Sequence, residues 1–181
     1  LQISKGVESA SGDVIVVLHA DCVAKSGVFK WILRKLASDP YAAGGAVGMQ
    51  FEKNNPKTMV VAFLNNLRTF LTGISFGDQA QIFRAEALEA AGGFPAIMLM
   101  EDVELSLRLK EVGRVIFLRK GILVSGRRWQ RDGFSANLIT VIHLFTRYLM
   151  ERRFNRKDAL KRNYYDIYYA KKRLPESKQV K

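Results

Sequence analysis

Four short segments carry the side chains able to do chemistry. The first, His19-Ala20-Asp21, follows directly on the apolar run 14–18. Open α/β sheets place their ligand crevice at the carboxyl ends of strands, and a carboxylate there can coordinate a hard cation such as Mg²⁺ or Mn²⁺. Such a cation bridges phosphate oxygens and neutralises a departing diphosphate. The competing explanation is that Asp21 only closes a turn. The second segment, Glu101-Asp102, opens a helix that a loop over 95–100 precedes. Acidic side chains at a helix start complement its dipole, and a carboxylate fixed there can equally accept a proton from an attacking hydroxyl. The third, Gly126-Arg127-Arg128-Trp129, sets two guanidinium groups beside an indole; arginine forks onto phosphate oxygens and tryptophan offers a sugar a flat face. The fourth, Gly77-Asp78-Gln79, is a turn entering a strand, and turn chemistry alone accounts for it.

The elements that must position these groups follow from periodicity. Residues 14–18, Val-Ile-Val-Val-Leu, predict a central strand buried on both faces of a parallel sheet. Ser26 is expected to cap a helix whose apolar face is Phe29, Ile32, Leu33 and Leu36, ending before Pro40. A strand over 46–51 comes next, then an apolar helix over 59–71 stopped at Gly73, a strand over 79–83 and a helix over 85–91 terminated by Gly92-Gly93. A helix over 101–112, strands over 115–118 and 122–125, and helices over 134–150 and 157–172 complete the pattern. Strand, helix, strand at the start argues for an α/β layer fold with right-handed crossovers.

Composition bounds the classes. With 181 residues, 48% of them hydrophobic, and four prolines, the chain can bury one substantial core and is too regular for disorder. The net charge is +12, and +10 of it lies in residues 127–181, which hold 15 basic and 5 acidic side chains. Such a tail suits anionic partners. One cysteine, Cys22, forbids an internal disulfide, and only His19 and His143 accompany it, so no zinc site of the usual N/S type can be assembled. A reducing, cytoplasmic setting is expected. The apolar stretch 134–150 is interrupted by Asn137, Thr140, His143, Thr146 and Arg147, and is shorter than the ~20 residues of a membrane span. Leu1 falls inside what reads as the end of a helix, so sequence upstream is expected.

The motifs occur in a particular order: Ser11-Gly12-Asp13 before the strand ending in His19-Ala20-Asp21, Gly77-Asp78-Gln79 with Phe83-Arg84, Gly92-Gly93-Phe94-Pro95, Met100-Glu101-Asp102-Val103-Glu104, then Arg127-Arg128-Trp129. Together, over nearly all of residues 1–150, this set resembles the family 2 inverting glycosyltransferases of the GT-A fold. More narrowly, it is similar to bacterial transferases labelled as arsenosugar-biosynthesis glycosyltransferases. The resemblance implies an α/β three-layer sandwich with a mostly parallel central sheet, incomplete at the amino terminus, followed by carboxyl-terminal helices. Residues 1–130 would be the carboxyl-terminal part of the catalytic domain and 131–181 a basic helical tail.

By the same resemblance Asp21 matches the last carboxylate of the family's Asp-x-Asp motif, which holds Mn²⁺ or Mg²⁺. His19 stands where that motif has its first Asp, which removes a negative charge and leaves an imidazole for the metal or the sugar. Asp102 matches the catalytic base. Gly77, Asp78, Gln79, Glu101 and Trp129 would line the acceptor side, and Arg127 and Arg128 would hold phosphate oxygens. Arg128-Trp129 resembles the end of the Gln-x-x-Arg-Trp motif of processive members, but Ser125 occupies its first position, a departure from the polymerising enzymes. The implied partners are a nucleotide-diphosphate sugar and a hydroxyl acceptor, with the nucleotide-base pocket upstream of Leu1.

The helix from Phe134, with Tyr164, Tyr165, Ile167, Tyr168 and Tyr169 among basic residues, would lie on the inner face of an anionic membrane and serve a lipid-linked acceptor, or pack on the catalytic body or a second copy. A non-catalytic relative of the fold is a further alternative. A module for single-stranded nucleic acid fits the basic, tyrosine-rich tail but leaves the ordered motifs unexplained, and no nucleic acid is expected.

Overall fold

A computed structural model describes residues 2–127 and 134–170. Helix α1 (Gln2–Glu8) leads to β1 (Val14–Val17), β2 (Cys22–Ala24), α2 (Val28–Ala37), β3 (Ala42–Phe51) and α3 (Pro56–Thr72). A 3-10 turn (Gly77–Gln79) then precedes β4 (Gln81–Arg84), α4 (Ala85–Ala90), α5 (Glu101–Val112) and β5 (Arg114–Val124). Three further helices close the described chain: α6 (Phe134–Phe154), α7 (Arg156–Lys161) and α8 (Tyr164–Ala170).

The five strands form one mixed sheet in the order β1-β4-β3-β5-β2. The mixed α/β class agrees with the sequence, but the expected mostly parallel sheet does not: only β3 and β5 run parallel, while β1–β4, β3–β4 and β2–β5 are antiparallel. Nor is β1 central. It pairs on one side only and its residues are half-buried. A continuous β-branched run signals a strand without signalling its rank in the sheet, because β4, some 65 residues on, inserts between β1 and β3. The short strand β2 was not anticipated, and the two strands expected over 115–118 and 122–125 are one, β5.

Local signals set both ends of α3. Asn55 accepts from Thr58 N at 3.0 Å and Thr58 Oγ1 accepts from Asn55 N at 2.9 Å, a reciprocal cap with Pro56 in the first turn. Gly73, with φ 69°, ends α3 in the left-handed region. Ser26 is not the cap of α2. Gly27, with φ 79°, takes that position, no side chain caps it, and the buried row becomes Val28, Ile32 and Leu36. Phe29 and Leu33 are 50% and 55% exposed. The helix presents an i, i+4, i+8 row to the core, and an apolar arc this wide does not define from sequence which of its edges faces inward. The helix expected over 157–172 is two, α7 and α8, broken at Arg162 and Asn163; residues 171–172 lie outside the described residues.

Helix α6 packs on the body of the protein. Leu144 and Tyr148 are buried with Ile74, Met100 and Val103, beneath Tyr164 and Tyr168 of α8. The tyrosines read as a lipid-facing row are thus divided, since two of them point into this core. Their rings pack edge to face, Tyr148 on Tyr164 at 5.4 Å between centroids. No helix among the described residues is long and apolar enough to cross a membrane.

Candidate active site

After β1 the chain reverses through residues 18–21, with Cys22 N bonded to His19 O at 3.0 Å, and re-enters the sheet as β2. Ser125 N donates to Asp21 O at 3.0 Å, which ties this turn to the end of β5. The Asp21 side chain is exposed. It stands in a groove of about 380 Å³ whose walls include Glu52, Lys53, Ser125, Gly126 and Arg127. Beneath it, Cys22 is buried, with Sγ 3.7 Å from Asp21 Oδ1 and 3.9 Å from Asp78 O. Burial, with the charges of Asp21 and Asp78, pushes that thiol up to about 12, so it stays protonated and donates weakly to both.

The second half of the site is built where α3, the 3-10 turn and α5 meet. Gly77 N donates to Asp102 Oδ2 at 2.8 Å and Val103 N to Oδ1 at 2.7 Å, so both carboxylate oxygens are held by backbone. Gln81 Nε2 reaches Asp102 O at 2.8 Å. Asp78 receives Asn65 Nδ2 at 3.1 and 3.2 Å. Burial raises both aspartates above the ordinary carboxylate range. Opposing it are the two N–H groups on Asp102, and Arg68 with Asn65 at Asp78. Glu101 is pushed up to about 7 by burial and by the charge of Asp102, and its Oε2 is buried without a hydrogen-bond partner.

Arg68 is the counter-charge the sequence reading missed. Its guanidinium carbon lies 3.4 Å from the centre of the Phe76 ring and 5.5 Å from that of Phe145, and it donates to Ile74 O at 3.2 Å and Gln79 Oε1 at 2.9 Å. Burial lowers it to about 10, while Asp78 and Asp102 oppose that fall. A guanidinium at that value is still charged near neutrality, so two buried carboxylates share one buried cation. The legible signal was the polar set Asn65, Asn66, Arg68 and Thr69 within an otherwise apolar helix, at a spacing that places it on one face. Glu52 and Lys53 had no such signal, because only the return of β2 beside β5 brings the end of β3 to Asp21.

The separate motifs therefore meet. His19 lies against Gly77, where an added Cβ would come within 2.2 Å of the imidazole Nε2. Gly77 holds Asp102, and Cys22 links Asp21 to Asp78. Gln79 serves as scaffold, its Oε1 accepting from Arg68 and from Thr69 Oγ1 at 2.7 Å. Arg127 reaches the groove and is exposed, with Nε donating to Ser125 Oγ at 3.1 Å. Arg128 and Trp129 lie outside the described residues. No protein-family model matches this chain, and no curated protein matches it.

The His19–Gly77 contact makes a direct prediction. Gly77→Ala is expected to cost roughly 1–3 kcal/mol by displacing the ring, and His19→Ala should remove the clash. The double variant should then melt with His19→Ala alone. A double variant that loses as much as the two singles added together would mean that the ring does not rest on Gly77.

Proposed function

We propose that this chain contributes the metal-binding and general-base groups of a GT-A transferase similar to family 2, which carries out metal-dependent, inverting glycosyl transfer from a nucleotide-diphosphate sugar to an acceptor hydroxyl. The observation that carries the reading is the convergence of 19–22, 77–79 and 101–103 on one site, with an exposed carboxylate at one side and a buried, backbone-held carboxylate at the other. The two carboxylates are prepared for different work. The Asp21 carboxylate accepts only the weak Cys22 thiol among the described residues, which leaves its lone pairs to the groove. Asp102 is shielded and raised, as suits a proton acceptor.

The donor set fits a hard cation that completes its shell with phosphate oxygens and water. Asp21 and Glu52 share the groove, and no cluster of three or more His, Cys, Asp or Glu that could cage an ion occurs among the described residues. Mg²⁺ is commonly held by one or two carboxylates plus substrate phosphates. When bound there, Mn²⁺ or Mg²⁺ would offset the charge on the leaving diphosphate. Lys53 and Arg127, on the same groove, are placed to grip phosphate oxygens. Asp102 takes the acceptor proton as the hydroxyl oxygen bonds to the anomeric carbon and the bond to the diphosphate breaks, inverting configuration.

Mn²⁺ binding followed by electron paramagnetic resonance, together with nucleotide-diphosphate release from a panel of nucleotide sugars, tests this. Asp21→Ala should weaken Mn²⁺ binding about tenfold or more in the presence of nucleoside diphosphate and abolish release. Unchanged Mn²⁺ affinity in that variant would sink the metal assignment.

A further inference from the structure

Helix α3 turns most of its large apolar side chains outward and its polar ones inward. Its inward face sets Val61 and Ala62 in the core and carries Asn65, Asn66, Arg68 and Thr69, which hold Asp78, Gln79 and the Met49 backbone. Its outward face is a continuous apolar row that includes Val60, Phe63, Leu64, Leu67, Phe70 and Leu71. Phe63 is 63% and Leu71 69% exposed. A soluble helix reverses this arrangement, and contiguous exposed apolar surface of this kind marks a docking face.

The charges around the row identify what covers it. Residues 56–72 contain no acidic side chain, and the one charged residue on the outward face is Lys57, at its amino end. At the other end Lys110 Nζ donates to Thr72 O, and Arg119 lies over the Phe70 ring, 5.9 Å from its centre. An apolar stripe bracketed by cations is complementary to lipid with anionic headgroups. A second copy of a chain of net charge +12 meets electrostatic self-repulsion on approach. We propose that α3 docks this protein on an anionic bilayer, with its apolar row in the headgroup–acyl boundary and its polar face still gripping the 77–79 turn. Helix α6 also exposes apolar residues, but His143, Thr146 and Arg153 interrupt them.

Flotation of the full chain with vesicles of phosphatidylcholine, with and without phosphatidylglycerol, tests the assignment. Binding should need phosphatidylglycerol and fall by about tenfold or more in Phe63→Ser/Leu71→Ser, whereas Ile139→Ser/Phe154→Ser on α6 should retain it. Light scattering should find monomers throughout, and the α3 variant should melt with the wild type. Equal flotation of the α3 variant would assign binding to the basic tail and overturn the proposal. A wild-type dimer dissolved by that variant would assign the face to a second copy, and a large drop in its melting temperature would assign it to another segment of the polypeptide. Vesicle binding is read without turnover, so it stands or falls apart from the transferase reading.

Discussion

Asp102→Asn should lower glycosyl transfer by about 10²–10⁴-fold, the usual contribution of a positioned general base, with little change in melting temperature. The amide keeps the shape but takes no proton from a hydroxyl. It also has one acceptor oxygen where the carboxylate offers two, so one of the N–H groups of Gly77 and Val103 loses its partner. Set against this, a neutral side chain escapes the burial that raises Asp102, so the two effects on stability oppose each other. Wild-type turnover should rise with pH as Asp102 loses its proton, at a pH above the ordinary carboxylate range, and the Asn variant should lack that limb. Glu101, pushed up to about 7, is the rival for the role. An acidic limb that survives in Asp102→Asn and disappears in Glu101→Gln would transfer the base assignment to Glu101, and equal turnover in Asp102→Asn and wild type would end it.

The largest expected effect on stability lies two residues further along α5. The Glu104 side chain is fully buried, and Arg108 Nε reaches Oε1 at 2.8 Å while Arg152 Nε and Tyr148 OH both reach Oε2 at 2.7 Å. Arg156 adds a longer contact at 3.3 Å. Arg108 and Arg152 are themselves only 15% and 17% exposed. Removing the shared acceptor takes the carboxylate from Arg108 and from Tyr148 OH and leaves Arg152 with Glu111 alone, which costs about 3–5 kcal/mol. Glu104→Ala should therefore lower the melting temperature by roughly 10 °C. Burial alone raises the carboxyl, but the hydrogen bonds from Arg108, Tyr148 and Arg152 together outweigh it and hold the group below its ordinary 4.5. A depressed folded value stabilises fully above the unfolded one and is lost as pH falls through the folded value. The gap between wild type and Glu104→Ala should thus be constant near neutrality and narrow only below about pH 4.5. A gap that does not depend on pH would mean that packing, not charge, makes the contact.

The same network shows how far the sequence was legible. Met100-Glu101-Asp102-Val103-Glu104 was readable as a helix start bearing a candidate base, because helical spacing and acidic first-turn residues are local properties. That Glu104 would turn away from Asp102 and bind arginines 48 and 52 residues later was not readable, since nothing local couples α5 to α6 and α7. The α3 helix was likewise predicted by its apolar content and by Gly73, yet content does not say which face goes inward. Here the polar face does, because Asn65, Arg68 and Thr69 find buried partners in the 73–81 segment.

By itself the sequence determined the identities and approximate limits of most helices and strands and the basic carboxyl-terminal region, and it offered Asp21 and Asp102 as candidate carboxylates. Those are consequences of periodicity, capping and side-chain chemistry within a few residues. Only the tertiary structure decided that β1 is an edge strand, that three of four pairings are antiparallel, that Arg68 balances Asp78 and Asp102, and that His19 rests on Gly77. Strand order and charge pairing arise between residues tens of positions apart, where burial and backbone hydrogen bonding, not local propensity, select the partner.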